Sequence, residues 1–159
     1  MKFDYEIKQP ADCSTEELDE FFEMCKEADQ VSLNGLRNRI LNCPFLAFAR
    51  FEEEIAGVAA IKVAGENYRE RTFIASKTSL DNERFPHEIG YVYTKPAYQK
   101  NGIGTMLSQQ LISAFSGKNL FATTGNPTMK EILLQGGFVV TGTSYSGSHN
   151  TKLELLVRE

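Results

Sequence analysis

The chain has 159 residues, of which 42% are hydrophobic and 24% are charged. These proportions are ordinary for a soluble globular protein and too apolar for a disordered chain. The length is typical of one domain, so we expect a single domain over residues 1–159. The formal net charge of −4 argues against nucleic acid as a binding partner.

The cysteines and the apolar segments favour a reducing, cytoplasmic setting. The three cysteines form no C-x-x-C pair, which excludes a disulfide framework and most zinc modules, and no metal site is expected. The longest apolar stretches, residues 45–49 and 55–61, fall far short of the ~20 residues that a membrane-spanning helix needs. The first ten residues also lack the apolar region of a secretory signal.

The N-terminal third predicts one strand followed by two helices. Residues 3–7 alternate apolar and polar side chains, which is typical of a half-buried strand. Ser14 and Glu17 form an S-x-x-E capping box, and apolar residues at helical spacing predict a helix that runs to about Ala28. A second, shorter helix is expected within residues 33–41.

The next part of the chain predicts a hairpin and then an irregular segment. Two strands at residues 45–51 and 55–63 are expected to pair across a turn at 52–54. Residues 65–86 are polar and charged, with a weakly strand-like centre at 73–75. Four side chains of this segment are interpreted mainly as a solvated loop, with recognition of an anionic group as the alternative: Tyr68, Arg69, Arg71 and Lys77.

The following residues predict a strand, a tight loop and a helix. Residues 87–94 alternate again, and a loop at 95–101 leads into a helix whose apolar stripe runs from Ile103 to Phe115. Gly117 is expected to end that helix.

The C-terminal part predicts one more helix among three strands. Asn126 opens the helix, with Thr128 and Glu131 as a capping box, and the glycines at 136–137 close it. The strands are expected at residues 120–124, 138–145 and 152–157, with a polar turn at 146–150. The element order predicts a mixed sheet with helices on both faces, in the α/β (α+β) class.

The loop at residues 99–104, Q-K-N-G-I-G, lies between a predicted strand and a predicted helix. Free N–H groups at a helix N-terminus, together with the helix dipole, form a site for an anion. Gly102 and Gly104 let a phosphate approach the main chain closely, and Lys100 adds positive charge. From the glycines alone, a plain tight turn is the alternative. The dinucleotide fingerprint is excluded because Leu107 occupies its third glycine position.

This loop resembles the [QR]-x-x-G-x-[GA] pyrophosphate loop of the GNAT acetyltransferases (general N-acetyltransferases). Residues 94–98, T-K-P-A-Y, resemble the family's V-x-P-x-Y approach to that loop. Asn126, followed by a helix that ends at G-F, residues 137–138, resembles its second motif. The resemblance implies a GNAT-like acyl-CoA acyltransferase fold, with a central, mixed, mostly antiparallel sheet flanked by helices.

The cofactor that the resemblance implies is acetyl-CoA (coenzyme A). Its pantetheine arm would pair with the strand at Val92, Tyr93 and Thr94, as an added strand does. Asn126 would face the pantetheine, and a plain helix N-cap is its alternative role. The pyrophosphate would lie on the amides of Gln99, Lys100, Asn101, Gly102, Ile103 and Gly104.

The family's reaction is direct attack of an amine on the thioester. A lysine-like amine titrates near ~10.4, so a base must first take its proton. Some family members place a catalytic glutamate where this chain has Glu88, on the same strand face as Val92. A solvated strand-end carboxylate is the alternative, and His87 is a weaker candidate base. The amide of Val92 or Tyr93 is the implied donor to the oxyanion.

The family's usual general acid is absent. A tyrosine is typical in a Y-x-x-x-G-F arrangement, but Leu133 occupies that position here. Tyr145, at the end of a predicted strand, is the candidate acid, while Tyr98 is expected to pack against the loop. The second alternative is that the thiolate leaves with help only from water and the expelled amine proton. A third alternative is a protein that binds acyl-CoA and catalyses poorly.

The resemblance implies an N-acetyltransferase that acts on a primary amine of a small molecule or a peptide. Asp29 and Gln30 lie where family members often shape the acceptor pocket. Pairing of late strands between GNAT subunits implies a homodimer. The alternative functions are an acyl-CoA-binding or regulatory module and a plain interaction domain.

Overall fold

The computed structural model describes residues 1–28, 31–147 and 151–159. These residues form seven strands and five α-helices, and they divide into two compact units. The first unit comprises residues 1–63 and 89–114, and the second comprises 64–88 and 115–159. Asp29, Gln30 and the part of the predicted turn at residues 148–150 lie outside the described residues. None of the described helices is both long enough and apolar enough to cross a membrane.

In the first unit the strands follow the order β1-β2-β3-β4. The hairpin between β2 and β3 is antiparallel, with Phe48 opposite Val58, and β1 is antiparallel to β2. The predicted strands and the predicted hairpin are confirmed to within one residue. Their bounds are β1 Asp4–Lys8, β2 Phe45–Phe51, β3 Glu54–Val63 and β4 His87–Thr94, whose first two residues belong to the second unit.

Helix α1 (Thr15–Ala28) begins with the predicted capping box. The Ser14 amide donates to Glu17 Oε1 at 2.8 Å, and the Glu17 amide donates to Ser14 Oγ at 3.1 Å. Phe21 and Met24 on its apolar face are buried in one core cluster with Leu36 of α2 (Leu36–Leu41). Both predicted helices are therefore confirmed.

Helix α4 (Ile103–Ala114) packs closely on β3 in the first unit. Its buried stripe includes Ile103, Leu107 and Leu111, as the spacing predicted. A Cβ added to Gly57 of β3 would lie 2.7 Å from Ile103 Cγ2, so only glycine allows the helix to approach this strand so closely. The start of α4 is thus fixed against the sheet.

In the second unit β5 lies between the start of β4 and β7, and β6 lies on the other side of β7. Strand β5 runs parallel to β4, with Phe121 opposite Glu88, and antiparallel to β7, with Phe121 opposite Val157. Among the described residues, the parallel ladder consists of that single pair. The bounds are β5 Leu120–Thr124, β6 Val139–Ser146 and β7 Lys152–Arg158, close to those predicted.

The prediction of an irregular segment at residues 65–86 is wrong, because α3 (Glu66–Ala75) forms there. Only Thr72 and Phe73 of this helix are buried, so its sequence has no apolar stripe at helical spacing. Phe73 instead packs against Phe85 and Phe121, with ring centroids 5.6 Å away in each case. These partners are distant in sequence, and no local pattern could reveal them.

The capping box predicted at Thr128 and Glu131 is also wrong. Helix α5 (Pro127–Gln135) starts one residue earlier, with Pro127 at its first position and Asn126 as its N-cap. The Asn126 Oδ1 accepts hydrogen bonds from the amides of Thr128 at 2.8 Å and Met129 at 3.2 Å. The helix ends at the predicted glycines, and Gly137 has a φ of +91°.

Candidate active site

The loop between β4 and α4 is held in shape by its own polar side chains. Gln99 Nε2 donates to the Thr94 carbonyl at 3.3 Å. Asn101 Nδ2 donates to the carbonyls of Tyr98 at 2.9 Å and Gln99 at 3.2 Å. Two of the six predicted pyrophosphate residues therefore use side-chain amides to stabilise the loop.

Consecutive main-chain amides of this loop remain available to an anion. The Gln99 amide donates to the Pro96 carbonyl at 3.4 Å, so this predicted donor is already used. Within the described residues, no main-chain carbonyl accepts from the amides of residues 100–104. Lys100 and Gly102 have φ values of +68° and +74°, and such left-handed residues in a turn make the amide-lined concavities that bind anions.

The main chain at the two glycines of the loop is not crowded by other atoms of the protein. No heavy atom lies within 4 Å of a Cβ built on Gly102, and on Gly104 that Cβ would meet only Val92 Cγ1, at 3.7 Å. Internal packing therefore does not require glycine at residue 104, although glycine in a helix costs roughly 0.5–1 kcal/mol relative to alanine. The backbone here is uncovered, and the side chain of Lys100 is exposed.

Strand β4 has an irregularity just before the predicted pantetheine residues. Tyr91 has a φ of +55°, which is rare for a bulky side chain. Its ring packs against Phe21, with centroids 6.1 Å apart, and lies 4.3 Å from Lys62 Nζ. The left-handed residue interrupts the strict alternation on which the shared face of Glu88 and Val92 was predicted.

Glu88, the candidate base, is buried in the second unit with 4% of its surface exposed. This burial contradicts the alternative of a solvated strand-end carboxylate. The Tyr68 hydroxyl donates to Glu88 Oε2 at 2.8 Å, and the same hydroxyl lies 3.4 Å from Thr123 Oγ1. Glu88 therefore sits in a polar cluster that joins α3, β4 and β5.

Tyr145, the candidate acid, belongs to the same cluster. Its hydroxyl is hydrogen-bonded to the side chains of Thr123 and Thr72. Burial, followed by the negative charge of Glu88, raises the pKa of Tyr145 to about 12. Burial and Glu88 also raise the pKa of Tyr68 well above its ordinary value. Both phenols thus keep their protons at neutral pH.

The structure brings together two residues that sequence reasoning selected, Glu88 and Tyr145, and adds Tyr68 between them. Tyr68 was grouped with the charges of a solvated loop because α3 had not been recognised. Once the helix is known, Tyr68 lies one turn before Thr72, so both can face the same side. Its pairing with Glu88 is a tertiary contact with no sequence signal.

The other candidates for acid and base have structural roles. The His87 ring packs edge-on against Phe115 at 5.0 Å, and burial, then Lys118 and Arg69, lower the pKa of His87. The Tyr98 hydroxyl donates to Glu54 at 2.6 Å, while its ring packs on two phenylalanines. Leu133 is fully buried, so no polar group occupies the family's usual tyrosine position.

Asn126 acts as the helix N-cap, which was its alternative role. It also lines a cavity of about 400 Å³ in the second unit. Lys130 and Glu154 in its wall form an ion pair at 2.9 Å. The cavity is also lined by Thr124, Ser144 and Lys152.

The sequence model of the acetyltransferase (GNAT) family matches residues 9–132 of this chain. The chain therefore belongs to the GNAT acetyltransferase family, and the predicted family and fold class are confirmed. No curated protein sequence matches the chain.

Solved structures of the same fold cover nearly the whole chain. Escherichia coli ElaA is 13% identical, with a TM-score of 0.72 over 99% of this chain and 100% of its own. An acyl-CoA N-acyltransferase from Pseudomonas aeruginosa is 15% identical and has a TM-score of 0.71. The match covers 99% of this chain and 100% of that enzyme's chain. The yncA structure from Salmonella typhimurium, which contains its cofactor acetyl-CoA, is 17% identical and has a TM-score of 0.64. The match covers 100% of this chain and 94% of the yncA chain. At these identities the likeness concerns the fold.

Proposed function

We propose that the chain transfers the acetyl group of acetyl-CoA to a primary amine by direct attack. Membership of the acetyltransferase family makes acetyl-CoA the cosubstrate. The observation that carries the choice of an amine is the buried Glu88 carboxylate, hydrogen-bonded at the start of the strand that leads into the amide-rich loop. A base is needed because an amine acceptor is protonated in neutral solution and then has no lone pair with which to attack.

The loop binds the diphosphate of the cosubstrate in this proposal. The amides of residues 100–104 are the donors, and Lys100 adds charge. The pantetheine arm pairs with Val92, Tyr93 and Thr94, as an added strand does. Asn126 fixes the start of α5 and is the proposed contact with the pantetheine.

Glu88 and Tyr145 divide the proton transfers between them. Acetyl-CoA supplies an activated carbonyl and a sulfur leaving group. Glu88 takes the proton of the acceptor amine, and Tyr145, whose phenol stays protonated at neutral pH, gives a proton to the departing sulfur. The amide of Val92 or Tyr93 donates to the carbonyl oxygen.

A thiol-release assay over a panel of amines tests the proposal. Spermidine, kanamycin, L-lysine and a short unblocked peptide represent the acceptor classes. Glu88→Gln is expected to lower kcat about 10²-fold or more and to leave CoA affinity unchanged. The exposed Glu83→Gln is the matched control. An unchanged kcat in Glu88→Gln would remove the base from the mechanism.

A second candidate function rests on the buried Leu133, which replaces the family's usual acid. A catalytically weak acyl-CoA-binding or regulatory module would bind CoA and release no thiol with any amine of the panel. The same assay, run beside a CoA titration, therefore separates the two functions.

Three further parts of the proposal concern the domain organisation, the compartment and the oligomeric state of the protein. We propose one functional domain over the whole chain, acting in the cytoplasm on a small-molecule or peptide amine. Three free cysteines among the described residues support a reducing compartment. Strand β6 lies at an edge of its sheet, and its Val139 is 62% exposed, which supports a homodimer through this strand.

A further inference from the structure

The polar cluster around Glu88 has a defined hydrogen-bond direction. The Tyr68 hydroxyl has one hydrogen, and it donates that hydrogen to Glu88 Oε2 at 2.8 Å. In the 3.4 Å contact between Tyr68 and Thr123, the Thr123 hydroxyl must therefore be the donor. The Tyr145 hydroxyl interacts with Thr123 as well as with Thr72, and because Thr123 has no second hydrogen, Tyr145 is the available donor toward Thr123.

The four groups thus form one chain of donors that points toward the carboxylate. Its order is Tyr145, Thr123, Tyr68 and Glu88, with members from β6, β5, α3 and β4 of the second unit. Two titratable groups of this unit that interact with Glu88 are the phenols of Tyr68 and Tyr145. Glu88 is 4% exposed, whereas Tyr145 is only half-buried. The accessible end of the chain is therefore Tyr145.

We propose that Tyr68 and Thr123 are positioning residues of a proton relay that connects the buried Glu88 with Tyr145. This inference rests on the proposed acetyl transfer. It explains how a carboxylate with almost no exposed surface serves an amine that approaches from outside. It also supplies the leaving sulfur with a proton although Leu133 replaces the usual tyrosine.

The proton balance of the relay closes over one turnover. The amine N–H bond breaks as an O–H bond forms on Tyr145, whose own proton passes through Thr123 and Tyr68 to Glu88. The C–N bond forms and the C–S bond breaks. A proton then returns from Glu88 along the same hydroxyls to Tyr145, and the Tyr145 hydroxyl donates a proton to the sulfur. The ammonium form of the acceptor carries one further proton, which is lost to solvent before attack. The second proton has moved from nitrogen to sulfur, and Glu88 is a carboxylate again.

The test uses two substitutions that remove only a hydroxyl. Tyr68→Phe and Thr123→Val are each expected to lower kcat by about 10–10²-fold with the best amine of the panel. In Tyr68→Phe, the acidic limb of the pH–rate profile should move to higher pH, because the carboxylate loses a donor. Thr123→Ser keeps the hydroxyl and should restore most of the rate. Tyr5→Phe, on β1, is the control phenol.

Solvent isotope measurements separate a relay from a merely structural role. The dependence of wild-type kcat on the D₂O fraction should be curved, because several protons move together, and Thr123→Val should make it linear. Thiol release that is unchanged in rate and pH profile in both Tyr68→Phe and Thr123→Val overturns the relay and leaves the acetyl transfer standing. Absence of thiol release from the wild-type protein with every amine overturns both proposals.

Discussion

Gly104 faces Val92 across a gap that a methyl group would fill, since a Cβ at residue 104 would lie 3.7 Å from Val92 Cγ1. Gly104 lies in the first turn of α4, whereas Gly102 just before it has a φ of +74°. The two glycines of one motif are therefore required for different reasons. Gly102 is needed for its backbone conformation, and Gly104 leaves space that we propose the diphosphate occupies.

Alanine at these two positions should change stability in opposite directions. Gly104→Ala is expected to raise the free energy of unfolding by about 0.5–1 kcal/mol, because alanine favours the helix. Gly102→Ala is expected to lower it by about 1–2 kcal/mol, because a Cβ is strained in the left-handed region. Urea denaturation measures both. A loss of stability in Gly104→Ala would show that internal packing does require the glycine.

The ion cluster at Glu17 should make stability dependent on acid pH. Burial alone would raise the pKa of Glu17, but the Ser14 amide and Lys8 outweigh it, and Arg50 adds a further ion pair, so the pKa is lowered. A lowered pKa contributes stability that is present above about 4.5, the unfolded value, and is lost as the pH falls below it.

Glu17→Gln is therefore expected to cost about 1–2 kcal/mol at neutral pH, and the loss should shrink below pH ~4. Urea denaturation at several pH values checks this, with the exposed Glu16→Gln as control. A cost that does not change between neutral and acid pH would contradict the role of the charge.

The three thiols should differ in reactivity. Burial raises the pKa of Cys25 and of Cys43 to about 12, and both are nearly inaccessible, whereas Cys13 is half-buried. Burial also raises the pKa of Cys13, but its side chain is partly exposed. A thiol reagent at pH ~8 should therefore modify Cys13 in the folded protein and the other two only after denaturation. Mass spectrometry of the labelled peptides gives the answer. Rapid labelling of Cys43 in the native protein would be inconsistent with its burial.

Glu88 should control the titration of Tyr145. After burial, its charge is the largest cause of the raised pKa of Tyr145, about 12. Glu88→Gln should therefore lower this pKa, because the neutral amide no longer opposes the phenolate. Absorbance at ~295 nm follows the phenolate, and proteins with and without Tyr145→Phe isolate its signal. An identical titration in Glu88→Gln would mean that the two groups are not neighbours.

The sequence predicts most strands and helices because their patterns are local. The alternation at β4 and the stripe of α4 each repeat along one element, and the predicted bounds agree with the structure. Helix α3 has no such repeat. Its anchor, Phe73, is stabilised by rings that lie far away in the chain. Asn126 could be placed at a helix start and considered as its N-cap from the sequence, whereas the choice between that role and the Thr128–Glu131 capping box required the hydrogen bonds.

The candidate site divides in the same way. The loop at residues 99–104 is contiguous, so its motif and its glycines could be recognised before the fold was known. Glu88 and Tyr145 could be named as candidates, but their connection depends on Tyr68 and Thr123 from two other elements. Only the folded chain brings these side chains within hydrogen-bond distance.

The central claim is that the amides of residues 100–104 bind the diphosphate of acetyl-CoA, and calorimetric titration with CoA tests it most directly. Gly104→Glu is expected to weaken binding by about 10²-fold or more, because a carboxylate would occupy the space of the diphosphate and repel it. Gly104→Ala, which adds a methyl group and no charge, should weaken binding less than Gly104→Glu does. Equal CoA affinity in Gly104→Glu and the wild-type protein would contradict the account.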